Sequence, residues 1–228
     1  MVVQHVYEAV SKAVERVVVA TDDERIYNAV VAFGGEAIMT SSNHRSGTDR
    51  CAEAYEKLGC EADIVINVQG DEPFIKSEQI ETLIGCFANQ AIDIATLVKP
   101  FKAEDGIEML ENPNSPKVVL NSAGEALCFS RSVIPYLRGV ERSEWLSHHL
   151  FYKHIGIYAF RAEVLGKVSQ LPQTPLEKAE SLEQMRWLES GYKIGVGITD
   201  TETIGIDTPE DLERAEIFIQ KSTILNHK

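Results

Sequence analysis

The strand-like segments of this chain are unbroken apolar blocks, and that feature restricts the fold more than any other. "RVVVA" (16–20), "DIVINV" (63–68) and "DIATLV" (93–98) show little of the in/out alternation of a half-exposed strand, so each reads as a strand covered on both faces. Between and before them lie stretches with helical spacing, as in Val2, Val3, Val6, Ala9, Val10 and Ala13. Helices are expected around 24–33, from the Ser46–Thr48 entry, over 77–88 and over 176–190, with strands at 36–39 and 193–198. Apolar strands alternating with helices predict an α/β, doubly wound, mainly parallel sheet in a single domain spanning 1–228.

One part departs from that rhythm. "PKVVLNSAGEALCFSR" (116–131) holds two strand-like runs joined by Asn121, Ser122, Ala123 and Gly124, a hairpin signal, and "FYKHIGIYAFR" adds a further strand. The region 112–160 therefore reads as an antiparallel hairpin insertion, of the kind that forms an edge or a dimer contact. "DTPEDLERAEIFIQK" (207–221) reads as a helix with Asp207 or Thr208 before Pro209.

Charge excludes several roles. With 22 basic and 35 acidic side chains the formal net charge is −13, a field that repels nucleic acid and acidic membranes. No apolar stretch is long enough for a membrane span, and the four cysteines have neither zinc spacing nor a C-x-x-C motif. They are expected to be reduced thiols in a cytoplasmic protein.

Several constellations are candidates for chemistry. In "NVQGDEPF" (67–74), Asp71 and Glu72 follow the carboxyl end of a buried strand, where open α/β sheets bind ligands. Gly70 permits close backbone approach, and Gln69 is a polar residue where the strand is expected still to be buried. A carboxylate there suits Mg²⁺ shared with a nucleotide phosphate; a solvated turn is the plainer reading. Asp207 follows a second strand-and-glycine junction and is a candidate second metal carboxylate, although helix capping alone accounts for it. "NHRSGTDR" gathers His44, Arg50 and a helix start at Ser46, Gly47 and Thr48, a set able to hold a base, ribose or phosphate, or simply an N-cap. Arg131 follows an apolar run and needs an acidic partner or a bound carboxylate. His154 and Tyr158 share a strand face. Glu180, Glu183, Gln184 and Arg186 lie on a helix that reads most simply as a solvated face.

These pieces, with "SSNHRSGTDR", "VINVQGDEPF", "NPNSPKVV", "FSRSVIP", "KHIGIYAF", "PLEKAESLEQMRWLESG" and "GIDTPEDLERA" in order along nearly the whole chain, closely resemble the 3-deoxy-manno-octulosonate (Kdo) cytidylyltransferases, which belong to the nucleotide-diphospho-sugar transferase type of fold. The resemblance implies that CTP and Kdo give CMP-Kdo and pyrophosphate with Mg²⁺, as a homodimer serving lipopolysaccharide synthesis. It implies that Asp71 and Asp207 hold the metal and that His44, Ser46, Gly47, Thr48 and Arg50 line the cytidine side. Gln69, Arg131, His154, Tyr158, Glu183 and Gln184 would face the sugar acid, Arg131 gripping its carboxylate.

The chain also departs from the family pattern. Members begin with a strand and a basic loop of the type P-A-R-x-x-S-x-R-x-P-G-K-P-L, whereas here Met1 falls where the first helix starts. The expectation is a shortened form of a longer enzyme, with weakened triphosphate binding and stability. A cytidylyltransferase for another sugar acid such as sialic acid, and a catalytically impaired homologue, stand as alternatives.

Overall fold

The computed structural model describes residues 1–201, which form two compact units. The helix expected over 207–221, and with it Asp207, lies outside the described residues.

The first unit comprises 1–43 and 68–77. Helix α1 (Val2–Val10) buries Val6 and Val10, and Tyr7 meets Phe33 edge-on with ring centroids 5.5 Å apart. Strand β1 (Val18–Thr21) leads to α2 (Glu24–Ala32), whose Asp23 cap accepts from the Arg25 amide. Strand β2 (Glu36–Met39) then pairs with β1 in parallel, Val18 opposite Glu36. Among the described residues β1 pairs with β2 alone.

The second unit comprises 44–67 and 78–201. Helix α3 (Gly47–Leu58) starts where Ser46 caps the Asp49 amide and stops at Gly59, whose φ of +56° is left-handed. Then come β3 (Ile64–Asn67), α4 (Ser77–Gly85), β4 (Ile94–Pro100), α5 (Gly106–Glu111), β5 (Lys117–Leu120), β6 (Ala126–Ser130) and α6 (Trp145–His148). The remainder is β7 (Tyr152–Arg161), α7 (Ala162–Val168), α8 (Pro175–Glu180), α9 (Glu183–Glu189) and β8 (Ile194–Ile198).

Its six-stranded sheet runs β6-β5-β7-β4-β8, with β3 on β7. The expectation of a mainly parallel sheet holds for strand direction: β3, β4, β5 and β8 run the same way, while β6 and β7, in the expected antiparallel region, run against them. β4 and β8 pair in parallel, β7 is antiparallel to β3, β4 and β5, and β5 is antiparallel to β6. Apolar blocks report burial on both faces, and both faces are indeed covered. Ile94, Val98 and Phe160 pack with Leu165 and Trp187 from α7 and α9. On the other face, a Cβ on Gly197 would lie 2.6 Å from Thr82 Cγ2 of α4 and 2.9 Å from Leu97 Cδ2. The expected hairpin is present: Asn121 Oδ1 accepts from the Ala123 and Glu125 amides, turning β5 into β6.

Two local irregularities interrupt these elements. The β4–β7 ladder shifts between Thr96 and Leu97, so that Tyr158 stands opposite Thr96 but Ile155 opposite Leu97. The helix expected over 176–190 is two helices, because Ser181 takes a left-handed φ of +50° between α8 and α9.

Candidate active site

In the first unit, the turn after Val68 behaves as Pro73 and Gly70 predict. The Glu72 amide donates to Gln69 O and the Ile75 amide to Glu72 O, at 3.4 and 3.2 Å. Asp71 is half-buried there. Gln69, expected on a still-buried strand, is exposed instead, because β3 ends at Asn67 and Gln69 already lies in the turn.

In the second unit the structure brings several predicted residues together. Thr48, on the first turn of α3 and buried, donates to Glu183 Oε2 at 2.9 Å. Arg186, one turn along α9, donates through Nη2 to the other oxygen, Oε1, at 2.5 Å. Burial raises the Glu183 pKa above the ordinary carboxylate range, against the opposing pull of Thr48, Ser46 and Arg186. Glu183 in turn acts with burial to push the Tyr158 phenol upward. Tyr158 is wedged between Trp187, 4.9 Å away and edge-on, and His154, 5.4 Å away. The expected shared face of His154 and Tyr158 is therefore real.

His154 is buried and its pKa is lowered to about 3 by desolvation, so the imidazole is neutral at any physiological pH. Its Nε2 lies 3.0 Å from Thr96 Oγ1. Gln184, next to Glu183, is 3% exposed, and its Nε2 has no hydrogen-bond partner among the described residues.

The solvated-face reading of this helix is thus corrected. Gln184 and Arg186 are buried on α9, and Arg186 stands between Glu183 and Glu177 Oε2, 3.6 Å away. Helical spacing alone does not show that charged side chains neutralise one another inside the protein.

Arg131, by contrast, is held by backbone carbonyls rather than by an acidic side chain among the described residues. Nε donates to Glu180 O at 2.6 Å, Nη1 to Pro113 O at 2.9 Å and Nη2 to Ser181 O at 3.2 Å. Among the described residues these bonds use three of the five N–H groups and leave one hydrogen on each terminal nitrogen. The Glu180 carboxylate instead accepts from Ser130 Oγ and the Arg131 amide, at 2.7 and 2.9 Å. Together these bonds tie the end of β6 to the α8–α9 corner that carries Glu183 and Gln184.

Lys117, which in sequence is merely one residue of a strand, is fully buried in the same place. Its Nζ donates to Arg131 O at 2.6 Å and Asn112 O at 3.1 Å, and burial lowers its pKa. His44 pairs with Glu53 of α3, which also holds Lys57 at 2.6 Å. Ser46 and Gly47 form the cap and first residue of α3, and Arg50 lies on its next turn.

A family model described as cytidylyltransferase matches residues 1–194. The chain belongs to the cytidylyltransferase family. Within it, a 3-deoxy-manno-octulosonate cytidylyltransferase of Parabacteroides distasonis is 63% identical over 218 residues, covering 95% of this chain and 87% of that one. A protein of the same name from Escherichia coli is 44% identical over 98% of this chain and 87% of its own. Among solved structures, CMP:2-keto-3-deoxy-manno-octonic acid synthetase complexed with CTP superposes with a TM-score of 0.86 at 43% identity, over 97% of this chain and 88% of that one. A glucose-1-phosphate thymidylyltransferase from Bacillus anthracis, at 14% identity and a TM-score of 0.61, shares the fold alone. This cytidylyltransferase is thus a nucleotidyltransferase with the fold of the nucleotide-sugar transferases, as its sequence blocks implied.

Proposed function

We propose that this chain transfers a cytidylyl group from CTP to Kdo, releasing pyrophosphate. The observation that carries the sugar side is the α9 pair: Glu183 fixed at both oxygens by Thr48 and Arg186, beside Gln184 Nε2, a buried donor with no protein partner among the described residues. A buried amide donor without a partner costs about 1–3 kcal/mol, which a ligand hydroxyl recovers on binding. The similarity to a synthetase solved with CTP supports the nucleotide side.

In the reaction, the anomeric hydroxyl oxygen of Kdo forms a bond to the α-phosphorus as the bond to the pyrophosphate oxygen breaks, and the hydroxyl proton is released. His154, Tyr158, Glu183 and Gln184 would hold the sugar hydroxyls so that this oxygen lies in line, and Arg131 would offer its two remaining N–H groups to the carboxylate. His44, Ser46, Gly47, Thr48 and Arg50 would line the cytidine side.

The turn at 69–72 fits a magnesium ion. Among the described residues a Cβ at Gly70 would come no closer than 4.0 Å, to Val3 Cγ2, so with respect to them the backbone beside Asp71 leaves room for a hard cation and a phosphate. Asp71, with Asp207, would hold Mg²⁺, whose charge offsets that of the triphosphate. Membership in a cytoplasmic pathway for lipopolysaccharide agrees with the Kdo substrate, and no helix among the described residues is long and apolar enough to cross a membrane. A homodimer built on the 112–160 region is supported by Leu127, Tyr136 and Leu150, large apolar side chains that stand exposed there.

Pyrophosphate release measured with CTP, Mg²⁺ and either Kdo or a sialic acid tests the reading. Turnover with Kdo alone is expected. Turnover with the sialic acid alone would reassign the sugar, and turnover with neither would mark the chain as an impaired homologue.

A further inference from the structure

We infer that Thr96 is a positioning residue: it fixes the His154 imidazole in the tautomer carrying hydrogen on Nε2, and so presents the Nδ1 lone pair as an acceptor for a hydroxyl of the bound sugar acid.

The irregularity between β4 and β7 creates this arrangement. Because Tyr158 stands opposite Thr96 and Ile155 opposite Leu97, Gly156 and Ile157 have no opposite residue in the ladder. Such a bulge releases carbonyls from pairing and redirects side chains. Thr96, fully buried, meets two carbonyls at this irregularity, with its Oγ1 2.8 Å from Ile157 O and 3.2 Å from Ile155 O.

A threonine hydroxyl has one hydrogen. Directed at the carbonyls, it leaves Oγ1 as an acceptor toward His154 Nε2 at 3.0 Å, and Nε2 must then carry the ring hydrogen. The opposite tautomer would need the hydroxyl hydrogen for Nε2. The Ile157 and Ile155 carbonyl oxygens would then face the lone pairs of Oγ1 rather than its hydrogen, a repulsive arrangement at a buried position.

The ring plane is held as well. Phe129 meets it edge-on at 5.1 Å and Tyr158 lies against it at 5.4 Å. His154 keeps 8% of its surface accessible, and among the described residues Nδ1 has no hydrogen-bond partner. Tyr158, which lies against this ring, also packs on Trp187 of α9, the helix that carries Glu183 and Gln184. A fixed acceptor at His154 adds a requirement that a donating hydroxyl stand opposite, and a buried site of this kind discriminates against an analogue lacking one.

The substrate arm of the test rests on the Kdo reading; the spectroscopic arm does not. Long-range ¹H–¹⁵N correlation spectra of ¹⁵N-histidine-labelled protein, with His154 assigned by its loss in H154Q, read the tautomer directly. Expected is a pyrrole-type Nε2 and a pyridine-type Nδ1. A hydrogen on Nδ1, or on both nitrogens near neutral pH, overturns the inference.

In T96V the hydroxyl is lost at nearly constant volume, and the Nε2–H pattern should weaken or reverse. The KM for Kdo should rise about five- to tenfold, the factor one net hydrogen bond represents, while the KM for CTP stays within about twofold. T96S should restore both the spectrum and the KM. An unchanged tautomer in T96V, or equal increases in both KM values, also overturns it. If T96V does not fold, the spectra of the wild type and T96S decide. The expected wild-type spectrum in a protein that does not turn over Kdo supports the tautomer lock and refutes the substrate assignment instead.

Discussion

Replacing His154 with Gln removes a titration that couples this fold to acid. The folded imidazole has a pKa of about 3, against an ordinary value of 6.5. In the unfolded chain it takes up a proton below its ordinary value, and in the folded chain it does not. The stability this group contributes is therefore complete above the unfolded pKa and is lost as pH falls toward the folded one. Between about pH 7 and about pH 5 the linked loss is about 2 kcal/mol. Gln keeps a donor for Thr96 and does not titrate. Urea unfolding should be followed by the fluorescence of Trp187, which packs on Tyr158 and Phe160, across that range for the wild type and H154Q. Expected is a difference in unfolding free energy that shifts against the wild type by about 2 kcal/mol on acidification. A difference constant to within about 0.5 kcal/mol would show that His154 is charged or solvated in the folded state, and would refute burial as the cause of its neutrality.

Other outcomes rest on particular contacts. Gln184→Ala should raise the KM for Kdo about tenfold and leave the KM for CTP nearly unchanged in steady-state assays, since it removes a donor held ready for the sugar. Asp71→Asn should reduce Mg²⁺-dependent pyrophosphate release by about a hundredfold or more, because it removes one of the two carboxylates proposed to hold the metal. Ser181→Gly should raise stability by about 0.5 kcal/mol in chemical denaturation, as glycine accepts the left-handed φ with less strain. Gly197→Ala should destabilise by about 1–3 kcal/mol, because its methyl would collide with Thr82 and Leu97.

The sequence is most legible where a signal is local. Ser46 caps α3 because its hydroxyl meets the Asp49 amide three residues on, a relation that no distant residue has to support. The β5–β6 turn is legible for the same reason, since Asn121 satisfies its own loop. Strand pairing is not, because β7 finds its partners far away in sequence, and its apolar run does not name them. The break at Ser181 is hidden because serine usually avoids a left-handed φ; it is accompanied there by the Arg131 bond to Ser181 O. Lys117 and Arg131 are hard to place for a related reason. Both cations find carbonyls rather than carboxylates, and backbone acceptors leave no trace in composition. Thr96 does leave one, as a hydroxyl inside a strand otherwise apolar through its buried stretch.

The place of β7 has a consequence for how the chain is made. It is the strand against which β3, β4 and β5 all pair, yet it is translated after every one of them. Until residue 161 clears the ribosome, those apolar strands wait without the partner that joins them, and contacts of such long sequence separation form slowly. The nascent chain thus carries exposed strand edges through much of its synthesis, and a delay or early stop before β7 leaves a species suited to chaperone capture or aggregation rather than to a smaller folded enzyme.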